Sequence, residues 1–322
     1  KRQLVNIMNK ILTKKLNKKN VLIDSYGRTI NYLRLSVTDR CNYRCTYCMP
    51  EKMKFLPKQD LLTLEEMDHL CGLFIARGIK NIRLSGGEPL VRKGIIKFIS
   101  NLSRYIESNE LNEITLTTNG SQLKSCSQDL YEAGVRRINV SLDSLKEKKF
   151  NDITRRDDLI NVLDGLEVAK KAGLKIKINT VVIKNKNLDE INKIISWAHH
   201  NNFDISLIET MPMGLTDKDR IDQYISLSDV KKLILKDYTL VDSSFKTSGP
   251  SIYNKIKETN GLVGFITPLS NNFCASCNRI RLTCTGKLYM CLGQNNNIDF
   301  RNLLRQGDGI LLNNAIDMAM KN

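Results

Sequence analysis

Three cysteines stand close together near the start of the chain, in the segment Cys41-Asn-Tyr-Arg-Cys45-Thr-Tyr-Cys48. Thiolates spaced in this way are typical ligands of zinc or of an iron–sulfur cluster. Four cysteines would complete either site, whereas three leave one metal position vacant for a molecule that reacts there. A structural zinc ion with a distant fourth ligand is the alternative for this loop taken alone.

A second set of cysteines with ligand spacing lies near the other end of the chain: Cys274, Cys277 and Cys291. Cys284 lies between them, so a four-cysteine zinc ribbon is the alternative. If residues 279–284 form a strand, Arg279 and Arg281 share one face and Cys284 points to the other. This alternation favours three ligands, with Cys284 as a non-ligand, and the four-cysteine site stays open as the alternative.

The elements that position the first cysteines form a series of alternating strands and helices. Strands are predicted near residues 32–37, 80–85, 113–118, 136–142, 175–183 and 204–209. This alternation predicts an α/β fold with a parallel sheet. Six units in place of eight predict a partial (β/α)6 TIM-type barrel, with a C-terminal α+β extension that closes its open side. The first cysteines follow the first strand, at the edge where barrel enzymes carry their chemistry.

The chain divides into three parts by composition and pattern. Residues 1–20 form a basic N-terminal appendage, residues 21–214 the barrel, and residues 215–322 the extension that carries the second cysteine set. A helix is predicted over Leu227 to Lys236, followed by short strands and a final helix. His199 is expected to end a helix with its ring facing water.

The phase of the strands predicts the lining of the barrel. One set of alternating residues is apolar and should lie under the helices. The inward set is polar or cationic: Arg34, Ser36, Arg83, Ser85, Thr115, Thr117, Asn139, Ser141, Lys177 and Asn179. Cations that face a protein interior cost several kcal/mol unless they are paired. A bound anion is the simplest partner, and half-exposed strands with solvated cations are the alternative.

Composition bounds the possible classes of protein. The 322 residues are 41% hydrophobic, which excludes disorder as the dominant state. Nine cysteines, an odd number, do not indicate a secreted disulfide scaffold, and no signal peptide or long apolar run is seen. A cytoplasmic protein is therefore expected. The formal net charge of +16 indicates an anionic ligand, nucleic acid or a membrane surface.

Further motifs follow the second, third and fourth strands: Ser85-Gly-Gly-Glu88-Pro89, Thr117-Thr-Asn-Gly120 and Asn139-Val-Ser-Leu-Asp143. Together with the first cysteine segment they resemble the radical S-adenosylmethionine superfamily. The second cysteine set, the segment Cys277-Asn-Arg279-Ile-Arg281 and Ile266-Thr-Pro resemble the GTP 3′,8-cyclase family, which begins molybdenum cofactor biosynthesis. This resemblance extends from about Leu22 to Phe300.

The resemblance implies two 4Fe-4S clusters, S-adenosylmethionine as cofactor and GTP as substrate. Cys41, Cys45 and Cys48 would hold the first cluster, which yields a 5′-deoxyadenosyl radical that removes the 3′ hydrogen of GTP. The C3′ radical then attacks guanine C8, giving (8S)-3′,8-cyclo-7,8-dihydroguanosine 5′-triphosphate. Cys274, Cys277 and Cys291 would hold the second cluster, which orients guanine. An electron donor, the downstream cyclic pyranopterin monophosphate synthase and a possible homodimer are also implied, with no membrane or nucleic-acid partner.

The resemblance also assigns contacts residue by residue. Arg34 joins the first three cysteines in the catalytic set. The cofactor contacts implied are Tyr47, Gly87, Ser141 and Met211. The substrate contacts implied are Arg34, Arg83, Thr117, Lys177, Arg279, Ile280 and Arg281. Two departures are expected to affect activity: Ser206 stands where the family usually carries arginine, and the sequence ends without the family's Gly-Gly tail.

Two alternatives belong to other functional classes. The first is another radical S-adenosylmethionine enzyme with an auxiliary cluster, such as a peptide-modifying maturase. The second is a non-catalytic zinc protein that binds nucleic acid through its basic surface.

Overall fold

The computed structural model describes residues 21–211, 221–270, 277–291, 296–307 and 309–321. The predicted appendage over residues 1–20 and the predicted boundary at residue 214 therefore lie outside the described residues. The strands are β1 (Tyr32–Ser36), β2 (Asn81–Ser85), β3 (Glu113–Thr118), β4 (Arg137–Ser141), β5 (Lys175–Val182), β6 (Asp204–Glu209), β7 (Leu240–Asp242), β8 (Ile252–Ile256), β9 (Leu262–Ile266), β10 (Arg279–Leu282), β11 (Lys287–Tyr289) and β12 (Asn297–Asp299).

The α-helices lie between and after these strands. They are α1 (Leu64–Ala76), α2 (Ile95–Glu107), α3 (Leu123–Glu132), α4 (Glu147–Thr154), α5 (Leu159–Lys171), α6 (Ile191–His200), α7 (Leu227–Ile234), α8 (Phe300–Gln306) and α9 (Gly309–Lys321). Strands β1 to β6 pair in chain order and are all parallel. The predicted series of six strand–helix units is confirmed.

Local sequence signals explain where these helices begin and end. Thr63 caps α1: its hydroxyl accepts the Glu66 amide, and the Glu66 carboxylate accepts the Thr63 amide. Gly78, Gly134 and Gly173 follow α1, α3 and α5 with φ of +98°, +97° and +89°. A left-handed residue ends each of these helices at low cost only when it is glycine. The chain can then turn directly into the next strand.

The C-terminal extension lengthens the sheet at both edges. Strand β9 pairs in parallel with β6, and β10 pairs in parallel with β1. Two antiparallel strands follow on each side, so the order is β12-β11-β10-β1-β2-β3-β4-β5-β6-β9-β8-β7. The described strands leave this sheet unclosed, with β12 and β7 as its outermost members. The extension therefore adds a seventh and an eighth parallel strand beside the predicted six.

The two faces of the parallel strands differ as their alternation predicts. The apolar set is almost fully buried beneath the helices: Leu33, Leu35, Ile82, Leu84, Ile114, Leu116, Ile138, Val140, Ile176 and Ile178. The opposite face, here called the lumen face, carries the polar and cationic side chains of the same strands, among them Arg34, Arg83 and Lys177. The polar residues of the strands thus share one lumen.

The prediction for His199 is wrong. Its ring is buried, with Nδ1 at 2.6 Å from the Thr259 hydroxyl and Nε2 at 3.1 Å from the Leu262 carbonyl oxygen. A side chain at Gly261 would overlap this ring, since a Cβ there would lie 2.4 Å from it. His199 therefore fastens the β8–β9 turn of the extension to α6.

Among the described residues, no helix has the length and apolar character needed to cross a bilayer.

Candidate active site

Strand register places three arginines side by side on the lumen face. Arg34 on β1 is the neighbour of Arg281 on β10 and of Arg83 on β2. The Arg34 Nε donates to the Ser85 hydroxyl at 3.4 Å, and the Arg83 Nε donates to Thr115 at 3.2 Å. Because these partners are neutral, the row keeps its positive charge.

The lumen continues from the arginine row across β3, β4 and β5. Thr117 is paired with Asn139, and Asn139 with Lys177. The Lys177 side chain is only 5% exposed, and its ammonium donates to the Tyr253 hydroxyl at 3.1 Å. Thr117 is half-buried beside this position. The sequence-predicted residues of the inner face are thus brought together along one surface.

The electrostatics of the lumen favour an anion. Burial, together with the charges of Arg281 and Arg83, lowers the pKa of Arg34 to about 10. Arg34 is accessible to water yet densely surrounded by protein, as expected for a group that lines an open cavity. Burial also lowers the pKa of Arg83 and of Lys177. Within the described residues, no carboxylate lies within 4.0 Å of Arg34, Arg83 or Lys177.

Several polar atoms of this surface have no partner in the described part of the chain. Both side-chain polar atoms of Asn139 are buried without a hydrogen bond, as are the Tyr32 hydroxyl and the Asn179 Oδ1 atom. Buried polar groups are almost always satisfied in folded proteins. A polar ligand in the lumen would satisfy them, so the residues present fit a polyanionic nucleotide.

The first cysteine loop follows β1 and is fixed to α4. The amides of Arg44 and Thr46 donate to the carbonyl oxygens of Thr154 and Ile153, at 3.0 and 2.9 Å. The Arg44 guanidinium also donates to the Cys41 carbonyl oxygen at 2.6 Å. These bonds hold the loop at the carboxyl edge of the strands, where its position was predicted.

The three thiols of this loop lie in one environment. Cys41 and Cys45 are half-buried and Cys48 is exposed. Burial raises the pKa of the Cys45 thiol well above its usual range, and Asp143, Cys48 and Cys41 raise it further. A thiolate here therefore needs a bound cation. Among the described residues, no three His, Cys, Asp or Glu side chains lie close enough together to hold a single metal ion. A 4Fe-4S cluster is larger than a single ion, so its thiolate ligands can lie farther apart.

The Gly-Gly segment after β2 runs against the chain that enters the cysteine loop. The Gly87 amide donates to the Thr38 carbonyl oxygen and the Glu88 amide to that of Arg40, both at 2.8 Å. A Cβ at Gly87 would lie 2.2 Å from the Arg40 oxygen, and one at Gly86 would lie 2.5 Å from the Thr38 oxygen. Glycine is therefore required here by the approach of protein backbone.

Glu88 links the loops after β2 and β3. Its carboxylate accepts from the Leu90 amide at 3.0 Å, the Thr118 hydroxyl at 2.7 Å and the Asn119 amide at 2.6 Å. The Asn119 side chain in turn donates to the Asn42 Oδ1 atom at 2.8 Å and lies 4.0 Å from the Cys41 sulfur. Sequence reasoning quoted Glu88 only as part of a motif and missed this role.

Tyr47 is held by the loop after β4. Its hydroxyl donates to the Asp143 Oδ2 atom at 2.7 Å, and the Asp143 Oδ1 atom accepts from the Val181 amide at 2.8 Å. Burial raises the pKa of Asp143 to about 6. Ser141 ends β4 beside Asn179. The four loops after β1 to β4 therefore form one interlocked surface around the cysteines.

The remaining predicted contact residues, one for the cofactor and three for the substrate, differ in how far their side chains are exposed. Met211 is half-buried two residues after β6. Arg279 and Arg281 are half-buried on the lumen phase of β10, whereas the Ile280 side chain is buried in the core. The contact of Ile280 with substrate stays a prediction, and with its side chain buried it would have to use the backbone.

The second cysteine set is described in part. Cys277 and Cys291 are half-buried, and Cys274 lies outside the described residues. Cys284 lies two residues after the end of β10, which is shorter than the predicted 279–284, and it is 6% exposed and packs in the hydrophobic core. The four-cysteine alternative thus lacks an accessible thiol at position 284.

Comparison with known proteins gives two family matches. Residues 35–198 match the Radical SAM superfamily, and residues 203–322 match Molybdenum Cofactor Synthesis C. The GTP 3′,8-cyclase of Brucella ovis is 56% identical over 93% of this chain and 87% of its own length. The GTP 3′,8-cyclase of Brucella abortus strain S19 is 55% identical over the same shares.

Solved structures show the same fold at low sequence identity. Streptococcus suis SuiB bound to S-adenosylmethionine has a TM-score of 0.63 and 16% identity, over 97% of this chain and 72% of that one. AdoMet-bound anSMEcpe has a TM-score of 0.57 and 16% identity, over 90% and 81%. The two family models and the relatives at 55–56% identity show that the chain belongs to the GTP 3′,8-cyclase family of radical S-adenosylmethionine enzymes.

Proposed function

We propose that this chain converts GTP to (8S)-3′,8-cyclo-7,8-dihydroguanosine 5′-triphosphate, the first step of molybdenum cofactor biosynthesis. The observation that carries the proposal is the lumen, where Arg34, Arg83 and Lys177 lack carboxylate partners among the described residues. GTP carries about four negative charges, which arginine binds with paired, charge-assisted hydrogen bonds. The similar proteins named GTP 3′,8-cyclase support the same substrate.

The first cysteine loop and the residues around it would bind the cluster and S-adenosylmethionine. Cys41, Cys45 and Cys48 would be the ligands of a 4Fe-4S cluster, which when bound would supply the electron for reductive cleavage of S-adenosylmethionine. We assign the cofactor contacts to four residues around this loop: Tyr47, Gly87, Ser141 and Met211. The hydrogen bond from Tyr47 to Asp143 and the bonds of Glu88 support a rigid setting for them. Rigid orientation matters because such a radical abstracts the nearest hydrogen.

The lumen would hold the substrate. Arg34, Arg83 and Lys177 bind phosphates from the barrel side, and Arg279 and Arg281 from the extension, with Thr117 completing the surface. A substrate held in this way would be fixed in orientation and shielded from water, which radical chemistry requires. Closing the C3′–C8 bond needs the guanine held over the ribose, so purine orientation is the second task of the site.

A second 4Fe-4S cluster is the proposed holder of guanine. Its ligands would be Cys274, Cys277 and Cys291. Support comes from the short spacing between Cys277 and the lumen arginines of β10, and from the position of Cys284 in the core. An iron count of about eight per chain is expected, since each cluster contributes four.

The decisive experiment is anaerobic incubation of the purified chain with GTP, S-adenosylmethionine and dithionite, followed by mass spectrometry. We expect 5′-deoxyadenosine and an isomer of GTP. Cys41→Ser should abolish 5′-deoxyadenosine formation, because it removes a cluster ligand, while Cys126→Ser, a half-buried thiol without ligand spacing, should not. Retention of 5′-deoxyadenosine formation by Cys41→Ser would contradict the role of the first loop.

The remaining assignments stay predictions. They are a protein electron donor, cyclic pyranopterin monophosphate synthase as the consumer of the product, a homodimer and a cytoplasmic location. A peptide-modifying reaction is the competing enzyme hypothesis; it predicts 5′-deoxyadenosine formation that depends on a peptide and not on GTP. Zinc in place of iron, and nucleic-acid binding without 5′-deoxyadenosine, would support the non-catalytic alternative.

A further inference from the structure

Strand β9 carries a glycine where the side chains of both neighbouring strands meet. Gly264 is the partner of Ser206 on β6 and of Tyr253 on β8. A Cβ at Gly264 would lie 2.7 Å from the Ser206 Oγ atom and 2.9 Å from a Tyr253 ring carbon. It would also lie 3.0 Å from the Ser251 hydroxyl. The absent side chain is thus what allows a tyrosine of the extension to reach across β9 to the lumen.

These side chains form a connected polar network next to the lumen. The Ser206 and Ser251 hydroxyls are 2.9 Å apart. Lys177, followed by the hydroxyls of Thr247 and Ser206, lowers the pKa of Tyr253 against the opposing effect of burial. Ser206 is fully buried, so the Tyr253 ring and Ser251 occupy the volume that a longer side chain at position 206 would need. The Ser206 and Ser251 hydroxyls therefore pair with each other beside the Tyr253 ring.

Lys177 depends on this network for its orientation. Its ammonium donates one proton to the Tyr253 hydroxyl at 3.1 Å and lies 5.7 Å from the centre of the Tyr253 ring. Asp204 is close enough for its pKa to respond to the lysine charge, yet it lies outside ion-pair distance. A lysine ammonium has three protons to donate. Two are therefore available to an acceptor in the lumen.

We propose that Tyr253 is a positioning residue for GTP binding: its hydroxyl holds the Lys177 ammonium toward the lumen, where the phosphates accept the two remaining protons. This inference rests on the proposed function. The Tyr253 side chain is 2% exposed, so the ring is already fixed before the ligand arrives. A preordered lysine loses less side-chain entropy on binding than a mobile one.

The test is anaerobic measurement of the GTP Kd of the cluster-loaded enzyme and of its Tyr253→Phe variant. Phenylalanine keeps the ring packing against Phe245, whose centre is 5.0 Å away, and removes only the hydroxyl. We expect GTP binding to weaken about tenfold, the usual effect of losing a hydrogen bond to a charged group. Tyr238→Phe is the matched control, because its hydroxyl donates to the Asn192 carbonyl oxygen outside the lumen.

A double-mutant cycle shows whether Tyr253 acts through the lysine. In a Lys177→Met background, Tyr253→Phe should cause no further weakening, since no ammonium remains to be positioned. A structural role unrelated to Lys177 would give the same loss in both backgrounds and would overturn the inference. Unchanged GTP affinity of Tyr253→Phe would overturn it as well. A wild-type enzyme that binds no GTP would overturn the proposed function together with this inference.

Discussion

At the scale of single residues, Glu88 combines deep burial with a full set of hydrogen bonds. Its three donors favour the carboxylate, whereas burial favours the neutral acid. Burial prevails and raises the pKa of Glu88 to about 7. In the unfolded chain the group titrates near its ordinary value of 4.5. Between these values the native state binds more protons than the unfolded state, so the stability contributed by Glu88 is complete below about pH 4.5 and lost as pH rises through about 7.

The Glu88→Gln variant should remove this pH dependence. Relative to the variant, the wild-type free energy of unfolding should fall between pH 4.5 and 7.5 by an amount on the order of 2–3 kcal/mol. Denaturant unfolding at several pH values measures the difference between the two proteins. The control is Glu167→Gln, a change at an exposed position. The difference in free energy of unfolding between the wild type and this control should not vary with pH. A Glu88→Gln profile parallel to the wild type at all pH values would contradict the assignment.

Site residues that belong to a local sequence pattern were predictable. Site residues whose role depends on hydrogen bonds to distant parts of the chain were not. Cys41 and Arg34 were identified from spacing and strand alternation alone. Glu88, Asn119 and Tyr253 gain their roles from partners that lie 30 or more positions away. No local pattern in the sequence encodes such contacts, because they depend on which loops the fold places side by side.

At the scale of elements, the Gly-Gly segment decides the position of the cysteine loop. Gly87→Ala places a Cβ 2.2 Å from the Arg40 carbonyl oxygen, directly before Cys41. Backbone cannot move aside cheaply, so we expect a loss of about 3 kcal/mol in stability and a lower iron content per chain. Both are measured on anaerobically purified protein, by denaturant unfolding and by iron analysis.

The matched control for this change is Gly309→Ala at the start of α9. A Cβ at Gly309 meets no atom within 4 Å, and this glycine has no left-handed φ. Alanine should therefore be neutral or slightly stabilising there. If Gly87→Ala kept the wild-type iron content and stability, the close approach of the two backbones would not be a constraint on the cysteine loop.

Strand positions followed from periodicity, but strand partners did not. Each of β1 to β6 begins and ends within one residue of its predicted bounds, because buried parallel strands show alternation between glycine-marked helix ends. The edge positions of β9 and β10 could not be predicted. The sequence predicts both segments only as short strands. Their pairing with β6 and β1 depends on how the extension folds back against the two edges of the six-stranded sheet.

At the scale of the whole molecule, the extension and the barrel share one binding surface. β10 brings Arg281 beside Arg34 at one edge, and β8 brings Tyr253 to Lys177 near the other edge. These two edges lie on opposite sides of the six central strands β1 to β6. A ligand that contacts both edges therefore stabilises the arrangement of the whole sheet, and not only the loops nearest to it.

GTP should accordingly raise the melting temperature of the cluster-loaded protein. At a hundred times its Kd, a ligand that binds only the native state adds about 2.7 kcal/mol, or roughly 5 °C for a chain of this size. Guanosine, which lacks the phosphates, should give a much smaller shift. Arg279→Ala combined with Arg281→Ala should abolish the GTP shift and keep the shift caused by S-adenosylmethionine.

A charge-matched control separates the lumen from the general charge of the protein. Lys255→Ala combined with Lys257→Ala removes two exposed cations from the same extension with the same spacing, and it should preserve the GTP shift. Anaerobic differential scanning fluorimetry measures the shift for each combination of protein and ligand. Equal shifts with GTP and guanosine, or equal losses in the two double variants, would mean that the lumen arginines do not bind the phosphates. Retention of the full GTP shift by the arginine double variant would exclude β10 from the substrate site.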